Sequence, residues 1–138
     1  MVIWLAAGLY ATLQPIELAP GQVVDNNFIL FRTIGIYLDN IGSSFWMGQV
    51  VGNLLLLLPV GLLGPIELPA MSGWIRVFLV AFAISAAIEV AQLWITNRSA
   101  DVDDVLINVT GALLGYAILT IARLGSGSRR ASSSTNEI

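Results

Sequence analysis

The stretch SAAIEVAQLWITNRSADVDDVLINVTGALLGY, residues 85–116, decides how this chain is read. Two apolar runs are joined by a short polar connection, with Glu89 inside the first run and Asp101, Asp103 and Asp104 opening the second. Ser85, Glu89 and Gln92 are spaced four and three apart, so they share one face of a helix. Asp101, Asp104, Asn108, Gly111 and Gly115 step by three, four, three and four, again one face. The short connection makes the two helices antiparallel neighbours. Ionisable and amide groups in apolar surroundings cost free energy, so each is a functional candidate until a structural partner accounts for it.

Composition identifies the solvent. Of 138 residues, 57% are hydrophobic and 11% charged, where a soluble domain carries about a quarter charged residues. The expected fold is all-α: a polytopic transmembrane helical bundle of about four spans, with a short interfacial or re-entrant segment after the first. Cysteine and histidine are absent, which excludes disulfides, thiol chemistry and zinc sites built from them. The usual general base near neutral pH is missing too. A net charge of −3 with no lysine and no basic stripe argues against nucleic acid as a partner. The opening MVIWLAAGLYATL has no Arg or Lys before its apolar run, so it reads as an uncleaved first span.

The expected spans are residues 1–19, 46–66, 74–95 and 104–124. Residues 1–124 then form one transmembrane domain, and the Ser-rich 125–138 is expected to be a disordered cytoplasmic tail. Between the first two spans, Phe28, Phe31, Ile34 and Leu38 recur at three, three and four. That spacing fits a short helix in the membrane interface, a re-entrant piece, or a loop packed on the bundle. In the second span Gly48 and Gly52 offer a seam for close helix approach. Pro59 removes a backbone donor and frees a carbonyl near Leu55. Arg76, Arg123, Arg129 and Arg130 fall on one side, and Arg32 and Arg98 on the other. That bias places both termini in the cytoplasm of a multi-pass plasma-membrane protein.

Asn53 lies partway into the second span, where it can meet the two polar stripes in one pocket a turn or two below the outer surface. Structural explanations compete for most of these residues. Asp101 followed by Asp104 has the pattern of a helix N-cap and its third-position acid. Asp103 reads as a first-turn acid whose loss should be mild. Gly111 and Gly115 read as a packing seam, and Asn53 and Asn108 as interhelical hydrogen-bond glue. Glu89 is the hardest to explain as structure: its partner is Arg98, or it is the neutral acid bonded to Gln92 or Asn53. Three chemistries stay open. Glu89, Asp101 and Asp104 are oxygen ligands of the kind that hold Mg²⁺ or Ca²⁺. Glu89 and Asp104 form a general acid–base pair. Alternatively, a pocket at headgroup depth receives an amphiphile, with Arg98 and Arg32 on phosphate and carboxylates on amines. The DVDD run lacks the spaced ligands of a calcium loop, so neither a metal nor a cofactor is expected.

At GNLLLLLPVG (52–61), SAAIEVAQ (85–92) and RSADVDDVLINVTGALLGY (98–116) the chain resembles the VanZ-like membrane proteins, with the likeness covering residues 28–119. It departs from them where their usual Asn-Leu-Ile-Pro-Phe is replaced by Asn27-Phe28-Ile29-Leu30-Phe31, and where Leu57 stands for a phenylalanine. The resemblance implies a polytopic protein of the cytoplasmic membrane. Some relatives lower susceptibility to lipid-tailed glycopeptides such as teicoplanin, with no established reaction. The expected function is non-enzymatic, altering how lipid-tailed amphiphiles engage the outer leaflet of the cell envelope. The alternative is a membrane enzyme acting on a lipid or lipid-linked precursor through Glu89 and Asp104. Expected partners are a membrane lipid or amphiphile, and a helix partner or second copy docking on a glycine seam. The candidate ligand-binding residues are Glu89, Arg98, Asp104, Asn108, Asn53, Gln92, Asp101 and Arg32.

Overall fold

The computed structural model describes residues 1–15, 25–95 and 98–134. Within them every regular element is helical: α1 (Val2–Thr12), α2 (Arg32–Asp39), α3 (Ser44–Glu67), a 3₁₀ turn (Pro69–Met71), α4 (Trp74–Gln92) and α5 (Val102–Ser134). Three helices are long and apolar enough to cross a membrane: α3, α4 and the Val102–Ser126 part of α5. The 24 residues of α3 extend about 36 Å, more than the ~30 Å of a hydrocarbon core. Outward faces carry exposed apolar side chains, among them Leu79 and Phe82 on α4 and Leu114 and Ile118 on α5. That arrangement suits contact with lipid and would be costly in water.

α1 is shorter than the first span expected from the sequence. It has 11 residues and buries none of them, whereas a crossing takes about 20. The expected first span, 1–19, runs into residues 16–24, which lie outside those described. At the other end, α5 continues to Ser134, past the expected boundary at Leu124 and into the stretch read as a disordered tail. Extending an existing helix adds one hydrogen bond per residue fixed, and no proline interrupts the chain there.

Glycines set how the spans pack. α3 and α5 run parallel, and α4 runs antiparallel to both, contributing Val77, Ala81 and Ile88 to the shared core. A Cβ at Gly111 would collide with the Leu54 carbonyl, one at Gly115 with the Leu58 carbonyl, and one at Gly61 with the Ala112 carbonyl. The α3–α5 backbones are therefore in near contact along three successive turns. The seam at Gly111 and Gly115 is used inside the chain, with Gly61 as its counterpart. Gly48 and Gly52, the pair expected to form a seam of their own, face open space. They precede the stretch of α3 that α5 covers.

α1 lies against α3, and Pro59 explains part of the attachment. Lacking an N–H, Pro59 leaves the Leu55 carbonyl without its helical donor. The Trp4 indole N–H donates to it at 3.1 Å, and to the Leu56 carbonyl at 3.3 Å. The carbonyl expected from sequence to be freed is thus the one that seats α1. The contrast between the glycines is testable by reversible unfolding in detergent. Gly111→Ala is expected to destabilise by about 1–3 kcal/mol through overpacking, while Gly48→Ala should be neutral or slightly stabilising. Equal losses at the two positions would contradict the seam.

Candidate functional site

The polar residues gather at the end of the bundle where α4 stops and α3 and α5 begin. Non-helical backbone there needs hydrogen-bond partners supplied by the protein. Residues 25–27 pair with 99–102 in strand-like fashion: the Asn27 N–H donates to Ala100 at 2.9 Å, and the Val102 N–H donates to Asn27 at 3.0 Å. The Asn27 side chain donates to Asp101 at 2.8 Å and accepts from the Ile29 N–H at 3.0 Å.

Asp103 closes the next gap. Its carboxylate accepts from the N–H groups of Phe31 (2.7 Å), Thr33 (2.8 Å) and Ile34 (3.2 Å), so α5 supplies the cap for the start of α2. Phe31 sits at φ 66°, a left-handed conformation that costs a non-glycine residue roughly 1–2 kcal/mol and persists only when its surroundings hold it. Asp103 is fully buried, at 0% exposure. The sequence reading of a mild first-turn acid is therefore corrected: Asp103 joins two distant segments.

Asp101 behaves as the expected N-cap of α5, accepting the Asp103 N–H at 2.8 Å and the Thr33 hydroxyl. In a capping box the third-position acid, here Asp104, would reach back to the N-cap N–H. Instead Glu89, from α4, accepts the Asp101 N–H at 2.7 Å, and Asp104 is left facing elsewhere. Glu89 makes no ion pair with Arg98; the one ion pair among the described residues joins the amino terminus to Glu67. Arg98 turns to the C-terminal end of α1, donating to Ala11 and to Gln14 at 2.7 Å each. The Gln92 amide donates to Thr12 at 3.2 Å. A cation and an amide at the last carbonyls of a helix suit its unsatisfied acceptors and its dipole. Partial burial lowers the Arg98 pKa, opposed by the nearby Glu89 charge. Burial, and then the carboxylates of Asp104, Asp101 and Asp103, push the Tyr37 phenol on α2 upward.

A cavity of about 450 Å³ opens between α1 and α3 beside this cluster. Trp4, Ala7, Gly8, Ala11, Leu55 and Leu56 line its apolar side, and Gln49, Asn53, Gln92, Arg98 and Asp104 its polar side. Among the described residues, four side-chain atoms are buried without a hydrogen-bond partner: Asn53 Nδ2, Gln92 Oε1 and Asp104 Oδ1 at the cavity, and Asn108 Oδ1 away from it. The Asp104 carboxylate lies within hydrogen-bonding reach of the Asn53 amide and the Tyr37 phenol, so two of these groups are neighbours, though no bond of ordinary geometry joins Asn53 Nδ2 or occupies Asp104 Oδ1. Such orphaned groups are uncommon in folded proteins, and several in one cavity mark a place where a ligand completes the bonding.

Of the eight sequence candidates, Asn53, Gln92, Arg98 and Asp104 line the cavity; Glu89, Asp101, Asn108 and Arg32 do not. Asn108, 1% exposed, receives its structural reading by donating to Ser85 at 2.9 Å between α5 and α4. Arg32 is exposed on α2. Glu89 and Asp104 are not presented together to the cavity, and no three carboxylates among the described residues are grouped to hold a metal ion. Sequence reasoning missed Trp4 and Asn27. The Leu55 carbonyl freed by Pro59 called for a donor, which Trp4 supplies, and Asn27 was visible only as the asparagine of the stretch compared with the family's Asn-Leu-Ile-Pro-Phe. Hydrogen exchange tests the capping scheme. Asp103→Ala is expected to cost about 2–4 kcal/mol, since it orphans several amides, and to speed exchange at Phe31, Thr33 and Ile34. Glu89→Gln keeps an acceptor for Asp101 and should cost much less. Comparable losses with unchanged exchange at those amides would refute the scheme.

No curated protein and no solved structure matches the chain. The VanZ/LLP1 family model matches residues 1–123, nearly the whole chain. With three apolar candidate spans and that match, the chain is a membrane protein that belongs to the VanZ/LLP1 family.

Proposed function

We propose that the cavity receives the polar head of a lipid-tailed amphiphile, and that the protein thereby alters how such amphiphiles engage the outer leaflet without catalysing a reaction. The observation that carries this reading is the division of one cavity into an apolar wall on α1 and α3 and a polar end bearing orphaned donors and acceptors. An amphiphile at a membrane interface presents the matching division. In this reading the chain crosses the cytoplasmic membrane four times, with the first crossing built on α1. The arginine bias puts both termini in the cytoplasm and the polar cluster at the outer surface. A glycopeptide of the teicoplanin kind, with its acyl tail, is one amphiphile the site would meet there.

An acid–base mechanism using Glu89 and Asp104 has less support, because only Asp104 lines the cavity. Susceptibility to teicoplanin in a sensitive Gram-positive host, at matched membrane abundance, tests the proposal. Wild type is expected to raise the inhibitory concentration, Asp104→Ala to lose most of that effect, and Arg32→Gln to keep it. An effect retained by Asp104→Ala, or an equal loss in both variants, would count against the cavity as its source.

A further inference from the structure

We infer that the polar end of the cavity is built for a zwitterionic head carrying a primary ammonium beside a phosphate, the head group of phosphatidylethanolamine-type lipids. This rests on the amphiphile reading above and specifies its ligand. The acceptors come first. Gln92 is 6% exposed, and its amide is oriented because Nε2 donates to Thr12, which leaves Oε1 as an unfilled acceptor. Asp104 Oδ1 is a second unfilled acceptor, on a carboxylate. Two acceptors, one of them able to carry charge, ask for a donor-rich cation, and a primary ammonium offers three N–H groups.

The donors point to an anion nearby. Asn53 Nδ2 makes no hydrogen bond of ordinary geometry, although the Asp104 carboxylate lies beside it, and the Arg98 guanidinium lines the same cavity, its Nε and Nη2 engaged in the bonds to α1. Phosphate oxygens satisfy such a pair. The hydroxyls of an anionic head such as phosphatidylglycerol can donate to Gln92 Oε1 but bring no positive charge to meet the Asp104 carboxylate. A trimethylammonium carries positive charge but no N–H. A volume of about 450 Å³ is within the range of small-ligand sites and holds a head group, with the acyl chains following the Trp4 and Leu56 wall outward.

Wild-type protein is reconstituted in phosphatidylglycerol vesicles with trace diazirine-tailed phosphatidylethanolamine, or its N-methyl, N,N-dimethyl or choline counterpart, and crosslinked peptides are mapped. Labelling of α1 and of the Gln49–Leu56 part of α3 is expected to fall stepwise with methylation. The fall from ethanolamine to choline should be about tenfold, equivalent to ~1.4 kcal/mol, and Asp104→Asn should flatten it. Excess water-soluble glycerophosphoethanolamine should leave the labelling in place; its displacement of the lipid at equal concentration would reassign the site to a free head group. Equal wild-type labelling across the methylation series overturns the head-group assignment while leaving an amphiphile cavity. No labelling of these walls by any probe or by labelled phosphatidylglycerol overturns the amphiphile reading as well. If Asp104→Asn fails to accumulate, the methylation series on wild type decides alone.

Discussion

Backbone that leaves the helix at the end of a membrane bundle must find its partners within the protein, and in this chain one buried carboxylate, Asp103, satisfies three such amides at once. Because Asp103 stands in the first turn of α5, the start of α2 is fixed to the start of a spanning helix rather than to the lipid around it. The left-handed Phe31 is held by the same bonds. Asp101, one turn edge away, ties in Asn27 and Thr33. The consequence for the site is indirect. With α5 capped by Asp101, and the Asp101 N–H taken by Glu89, Asp104 has no capping duty and is available to the cavity.

The cavity owes its shape to packing on either side of it. The glycine seam draws α3 and α5 together at Leu54 and Leu58, which fixes Asn53, one residue before Leu54, relative to the first turns of α5. α1 closes the other side by packing Leu5 and Leu9 on the core and through polar contacts: the Trp4 indole on the Leu55 carbonyl released at Pro59 and on its neighbour at Leu56, and Arg98 and Gln92 on the carbonyls at its C-terminal end. No residue of α1 is buried. Its position therefore rests on directional bonds together with the partial apolar packing of Leu5 and Leu9.

Much of this was legible in the sequence because it follows from helical period and short turns. Residues 85–116 gave an antiparallel helix pair, the glycine face of α5, and a stripe from which Gln92 and Asp104 reach one cavity with Asn53. Pro59 pointed to a free carbonyl at Leu55 through a missing N–H, which is local chemistry. What escaped depends on pairings across about 70 residues of sequence or more, such as Asp103 with Phe31 and Thr33, or Asn27 with Asp101. Periodicity carries no information at that range, and an aspartate that caps a distant helix looks the same as one that caps its own. Gly48 and Gly52 meet no helix of their own chain for a related reason: spacing shows where backbones are able to approach, but which helix arrives is decided by the whole topology. Glu89 stood out as an ionisable group in an apolar run, yet the partner it meets is the Asp101 backbone amide rather than Arg98, Gln92 or Asn53.

Asp104 and Arg98 line one cavity without forming an ion pair. If neutralising two charges in apolar surroundings were the only requirement, a direct pair would meet it with least desolvation left uncompensated. The chain instead commits the guanidinium to the carbonyls of α1, and Glu89 relieves Asp104 of the N-cap amide. Both commitments come from groups that keep the opposite charges apart. Separation of this kind is costly, and in the proposed reading a head group bearing both signs offsets that cost. Under that proposal Glu89 would act through Asp104: it occupies the Asp101 N–H, the bond a third-position acid would otherwise make, and so its influence on a ligand would be felt as a change in where the Asp104 carboxylate points.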